Sequence, residues 1–405
     1  MRLTDLDRLV TAERVRLLAW GFLVAFTAGG LIWLLSFRDG LDPLGKPLGY
    51  DFLAFFGASE LVLAGRAAAA YDMEAIAAVQ RTAVAGNRAI LPWLYPPTFL
   101  LVVAPLGLLG YGAALAAWVA ATLTGFLAMV RRLSDHRMAL PLALGFSAVF
   151  ANAMQGQIGF LTAALAGFGL LLLDRRPLLA GLILGLLVIK PHFGLLLPVM
   201  LLADRRWPAI AGAALSSVGL CLASLAAFGP DAWTGFLASS QAAAGWMNEG
   251  YFPAEKSPSV LLALKTLGAP NLAAVAVYAT LALALGVAVW RVWRADGDIR
   301  LKIAVAVPAM VLASPYAFDY DLVLLAIPIG LLADHARRAA LAPGTKAVLA
   351  LAYVAPALGP ALAKTTGVQL TGLAVLLLFA AAWRTWALGR AATDAASADA
   401  FAPVA

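Results

Sequence analysis

The sequence predicts an all-α protein that crosses a membrane many times, and three observations carry that reading. The 405 residues are 63% hydrophobic and 13% charged, with a mean hydropathy of +0.88. A soluble domain is about half apolar and a quarter charged. Runs such as LLAWGFLVAFTAGGLIWLLSF (17–37) and LTGLAVLLLFAAAWRTWAL (370–388) are long enough to cross a bilayer core as helices. No run alternates polar and apolar residues with period two, which argues against a transmembrane barrel.

Charge then orients the runs. The net charge of +7 does not point to nucleic acid, because the basic residues sit beside apolar runs, where they hold loops on the cytoplasmic side. Arg14 and Arg16 precede the first run, and the N-terminal segment reads as a cytoplasmic tail before an uncleaved span. The basic loops 131–137, 174–177, 204–207, 291–300 and 334–338 are expected on the same side. The spans expected between them are 17–37, 98–131, 139–151, 158–173, 178–189, 192–203, 208–228, 271–291, 301–314, 319–333, 346–361 and 367–388. That is a bundle of about twelve helices with both ends inside, several of them short for a core of about 30 Å. The stretch 98–131 is broken by GYG at 110–112 and can hold one crossing plus a half-helix. Residues 1–390 are expected to form one integral membrane domain, and the Ala-rich stretch 391–405 a disordered cytoplasmic tail.

Two segments on the outer side are much longer than turns. Residues 38–97 carry FLAFFGASELVLAGRAAAAYD, read as an amphipathic surface helix with Arg66, Asp72 and Glu74 at its polar end. Residues 229–269 are rich in aromatic and small residues and hold no run long enough to span. Cys221 is the single cysteine, so no internal disulfide or zinc site is available.

Polar residues at or inside a membrane deserve a functional reading. Asp51 lies between Tyr50 and Phe52, at the start of the expected surface helix. It is either the N-cap of that helix or a general base in an aromatic-walled site, with its pKa raised by burial. Lys190 and His192 flank Pro191 at the end of a short span. Lys190 either snorkels to the interface or, with His192 and Arg88, contacts a phosphate. Asn152, Gln155 and Gln157 surround Gly156 in a tight turn; they either satisfy helix ends or bind a hydroxyl-rich ligand. Tyr95, in a rigid YPP turn, is placed at a cavity edge. Asp319 and Asp321 have D-x-D spacing, but so does DGD at 296–298, so the pattern does not establish a metal site. One of the pair is a candidate to hold a cation such as Lys190 or Arg88. Walker, dinucleotide-binding and zinc-protease motifs are absent, and with His136 and His335 in basic cytoplasmic loops, apart from His192, a haem or multi-His metal centre is not expected. No cofactor is called for; a divalent metal is left open.

These motifs, taken in order, resemble glycosyltransferase family 87. The resemblance rests on Asp51-Phe52 after the first span, Tyr95-Pro96-Pro97, Gly156-Gln157, Lys190-Pro191, Arg205-Arg206-Trp207 and SPYAFDYDLVLL at 314–325. It extends over roughly residues 45 to 330. In the last motif the family often carries Trp and His, where this chain has Phe318, Tyr320 and Asp321. The resemblance implies a GT-C-type integral membrane enzyme. Such an enzyme takes a sugar, often mannose, from a polyprenyl-phosphate carrier. It passes the sugar to a lipid-linked or envelope glycan acceptor outside the cytoplasmic membrane. It implies Asp51 as the catalytic carboxylate and Lys190 at the donor phosphate; Asp319, Tyr320 and Asp321 are candidates to bind substrate, at the turn where the chain departs from the family pattern. The competing reading from span count is a transporter or lipid flippase, against which no internal repeat relates the two halves.

Overall fold

A computed structural model describes residues 3–400, with side chains as far as residue 391. Every regular element among these residues is helical. Six helices are long and apolar enough to cross a membrane: Ala12–Leu35, Tyr111–Leu133, Trp207–Asn248, Asn271–Arg294, Thr345–Thr366 and Leu370–Ala391. The other expected spans exist as shorter pieces. They are Ala139–Leu144 with Ser147–Gln155, Gly159–Leu172, Pro177–Ile189, Pro191–Ala203, Ile299–Leu312, and Asp319–Leu325 running into Ala326–His335. The expected bundle of about twelve spans is thus made of six long helices and a set of shorter apolar ones.

Burial explains why short helices are tolerated. Ile299–Leu312 has 14 residues, about 21 Å at 1.5 Å per residue, too short for a core of about 30 Å. Yet every residue from Leu301 to Leu312 is buried. This helix is the axis of the main core, ringed by Phe126, Phe160, Leu170, Leu184, Met200, Val289, Trp293 and Leu378. Protein replaces lipid around it, so its frayed ends find partners. The long helices carry the lipid-facing surface: Leu17, Val24, Ile32, Leu215, Leu222, Leu272 and Leu283 are all strongly exposed.

Breaks fall where the residues require them. The 98–131 stretch divides into Pro97–Val103 with a 3-10 turn to Leu108, then Tyr111–Leu133 after Gly110. Trp207–Asn248 bends at Gly229, whose φ of 75° lies where only glycine is comfortable, with Pro230 next. Beyond that bend the helix lies against the first long segment: Gly235 abuts the Tyr71 ring and Ser239 Oγ donates to the Trp93 carbonyl at 3.2 Å.

The expected surface helix is corrected. Phe52–Leu63 is buried nearly all round, from Phe52 to Ser59 and again at Leu61. Its Phe55 ring meets Trp93, Tyr95, Phe99 and Trp118 with centroids 5.2–6.0 Å apart. The sequence shows only one neighbour along the chain, whereas here Met73–Ala83, Pro97–Leu108 and Tyr111–Leu133 pack around it. The amphipathic helix of this segment is Met73–Ala83, capped by Asp72, whose carboxylate accepts from Ala75 N at 2.7 Å.

The loops sort into two groups, as the charge pattern predicts. At one end the basic loops tie together: Arg206 bridges Asp174 and Asp204, Lys302 approaches Asp204, and Arg337 spans Asp135 and Asp334. At the other end lie Asp51, the amide turn, Lys190 and the Asp319–Asp321 turn. Of the expected disordered tail, residues to Ala400 continue the last helix; their side chains from residue 392, and residues 401–405 altogether, lie outside the described residues.

Candidate active site

Asp51 occupies the N-cap position of Phe52–Leu63, but its side chain makes no cap hydrogen bond. The carboxylate turns instead to Gln157, whose Nε2 donates to Asp51 Oδ2 at 2.9 Å. The amide's other end fixes that choice. Gln157 Oε1 accepts from the Tyr95 hydroxyl at 3.0 Å and from Ile158 N at 3.1 Å. With two donors on the oxygen, the NH₂ group is the end that faces Asp51. A chain Tyr95–Gln157–Asp51 results.

Two glycines let the turns that carry this chain meet. Gly49 and Gly156 have φ of 64° and 65°, and a Cβ on either would lie 2.7 Å from Leu115. Gly156 also closes the Ser147–Gln155 helix in the left-handed conformation. That closure swings Gln157 back toward Asp51.

Burial dominates the electrostatics of Asp51 and raises its pKa to about 6; the Gln157 hydrogen bond and the more distant Lys256 and Lys190 hold it from rising further. The nearby Asp319 pushes it up. No cation is bonded to this carboxylate among the described residues.

The other carboxylates are differently placed. Asp321 is fully buried, forms an ion pair with Lys190, and accepts from Phe318 N at 3.2 Å. Pro191 forces the break that presents Lys190, and Lys190 itself has the non-helical φ of −143° expected before a proline. Its ammonium also lies 4.9 Å from the Tyr320 ring and 5.3 Å from the Phe193 ring. The expected cation clamp is therefore Lys190–Asp321. Asp319 accepts from Gln155 Nε2 at 3.4 Å and from Tyr320 N at 2.9 Å, with Lys256 Nζ at 3.9 Å. Asp319 and Asp321 thus serve different partners.

Three expected residues stand apart. Asn152 is fully buried and its Oδ1 accepts from Gly159 N at 2.7 Å, which braces the turn. His192 Nδ1 pairs with Ser314 Oγ at 2.7 Å, and its ring packs on Phe193. Arg88 is exposed and has no bond to the cluster. One residue joins to which the sequence reading gives a place on the outer side but no role. Lys256 belongs to the second long segment, which Ser257 Oγ pins to the Ala317 carbonyl at 2.7 Å. Its only sequence signal is a cation in an outer segment, and that signal does not distinguish it from Lys265.

The cluster can take a proton at Asp51 and present a cation beside it, as a hydroxyl-activating transferase needs. No curated protein and no solved structure matches this chain. The family model of glycosyltransferase family 87 matches residues 93–315, more than half of the chain, taking in Tyr95, Gln155, Gln157, Lys190 and His192. The chain belongs to glycosyltransferase family 87.

Proposed function

We propose that this membrane glycosyltransferase moves a hexose such as mannose from a polyprenyl-phosphate carrier to a lipid-linked or envelope glycan hydroxyl. The observation that carries the proposal is Asp51, a carboxylate raised to about 6 by burial and held by an amide rather than by a cation. Such a group is ionised at neutral pH yet basic enough to accept a proton.

The step balances simply. The acceptor oxygen attacks the anomeric carbon and gives its proton to Asp51. The bond from that carbon to the phosphate oxygen breaks, and its electron pair leaves with the polyprenyl phosphate. Direct displacement inverts the anomeric centre. The departing phosphate needs a cation, and Lys190 is already committed to Asp321. Lys256, loosely placed 3.9 Å from Asp319 and half-exposed, is the better first contact. Lys190 supports it from behind. Arg88 would have to move with its loop to reach the phosphate, so it has no part in this reading. Gln155, Tyr320 and Asp319 border the sugar.

Sidedness follows from charge. The end rich in Arg faces the cytoplasm under the positive-inside rule, so Asp51 faces outward across the cytoplasmic membrane. The test is purified protein with a radiolabelled polyprenyl-phosphate hexose and a membrane lipid extract. Labelled product that needs the lipid donor, and does not form from a nucleotide sugar alone, supports the proposal. Uptake of sugar into protein-bearing vesicles with no covalent product would replace it with a transporter.

A further inference from the structure

A second site lies at the opposite, basic end. The Ala12–Leu35 helix is tied to the bundle near its middle. There the Ala19 carbonyl lies 2.5 Å from where a Cβ on Gly145 would stand, and Phe22 stacks on Tyr353 at 6.0 Å. On the N-terminal side of this tie a cavity of about 300 Å³ opens. It lies between the first turns of that helix, the ends of Tyr111–Leu133 and Ala326–His335, and the Ala139–Leu144 helix. Its floor is apolar, with Val130, Leu142, Phe146 and Ile329. Its rim carries Arg16, His136, Asp334 and Arg337.

The rim has a surplus of positive charge. Asp334, 2% exposed, receives Arg300 at 3.1 Å, Arg337 at 3.3 Å, and Arg338. One carboxylate thus faces three guanidiniums, and among the described residues the one further acid that reaches them, Asp135, is strongly exposed. Arg16 is exposed and has no ion-pair partner among the described residues. An apolar slot whose rim arginines outnumber the acids that reach them complements a molecule with a hydrocarbon chain and an anionic phosphate. A zwitterionic lipid would bring its own cation against the same arginines.

We propose that this cavity binds one acyl chain of an anionic glycerophospholipid, with the phosphate held by Arg16 and Arg337. The site is remote from Asp51 and stands whether or not the transfer reaction is as described above. The test is native mass spectrometry of the full chain in detergent, offered phosphatidylglycerol, phosphatidylcholine or an isoprenyl phosphate. Phosphatidylglycerol should be retained over phosphatidylcholine by about thirtyfold for two engaged arginines. The Arg16→Gln/Arg337→Gln variant should abolish that preference; Asp334 keeps Arg300 and Arg338, so the fold is not at risk. Ala139→Trp, which fills the slot, should remove the bound lipid while an unchanged unfolding midpoint reports the fold. Equal retention of the two glycerolipids, or unchanged retention in the arginine variant, would overturn the proposal. So would an isoprenyl phosphate that displaces phosphatidylglycerol completely.

Discussion

The two ends of the molecule each bury a carboxylate, and they treat it in opposite ways. Asp334 is buried under three arginines. Asp51 receives a single neutral amide, from Gln157. Burial alone raises the free energy of an ionised carboxylate. At the Asp334 end opposite charges offset that cost, and the result is a clamp between loops. At the Asp51 end it is left standing and appears as a carboxyl pKa near 6. A compensated carboxylate holds structure; an uncompensated one is available to take a proton. Asp321, paired with Lys190 near Asp51, shows that the site end also uses the first strategy where rigidity is needed.

Substitutions can break or sharpen that contrast, beginning with the largest effect. Asp51→Asn keeps an oxygen for the Gln157 amide but cannot take a proton. The transfer rate should fall by about 10²–10⁴-fold, the range for a lost general base, with the unfolding midpoint unchanged. A rate within a few-fold of wild type would remove Asp51 from the chemistry. Asp321→Ala should destabilise the protein by about 3–5 kcal/mol, because it strands the Lys190 ammonium in the interior. The double variant Lys190→Met/Asp321→Leu should recover most of that loss in detergent-solubilised unfolding. If the two single effects merely add, the pair is not coupled as described.

Asp334→Asn should cost less, about 1.5–3 kcal/mol for hydrogen bonds to charged groups, since its arginines are partly solvated. Its transfer rate and pH profile should match wild type, which separates a clamp from a base. The smallest effect is a displacement on the pH axis. Asp51 works as its anion, so transfer should rise as pH increases through about 6. The Gln157 hydrogen bond favours the anion, so Gln157→Leu should move that rising limb to higher pH. A limb that stays in place would show that the amide does not tune the carboxylate.

Much of this was legible along the chain, for identifiable reasons. Positive charge beside apolar runs sorted the loops into two groups that the contacts reproduce. Pro191 marked the break that presents Lys190, and Gly110 the break before a full-length helix. Asp51 stood out as a lone acid among aromatics. The rest depended on partners far apart in sequence. Nothing local says that Asp321 is spent on Lys190, 131 positions away, or that Gln157 reaches Asp51 across 106. Phe52–Leu63 read as half-exposed because the cover supplied by Met73–Ala83, Pro97–Leu108 and Tyr111–Leu133 has no local signature. Lys256 had only its charge to recommend it until Ser257 was seen to pin its loop against Ala317.

The measurement that bears most directly on the uncompensated carboxylate is a pH–rate profile of sugar transfer from a labelled polyprenyl-phosphate donor. It compares wild type with Asp51→Asn on both sides of pH about 6. The account predicts a rising limb near that pH in wild type and a flat, residual rate in the variant. A limb that survives in Asp51→Asn, or a variant as fast as wild type, would contradict it.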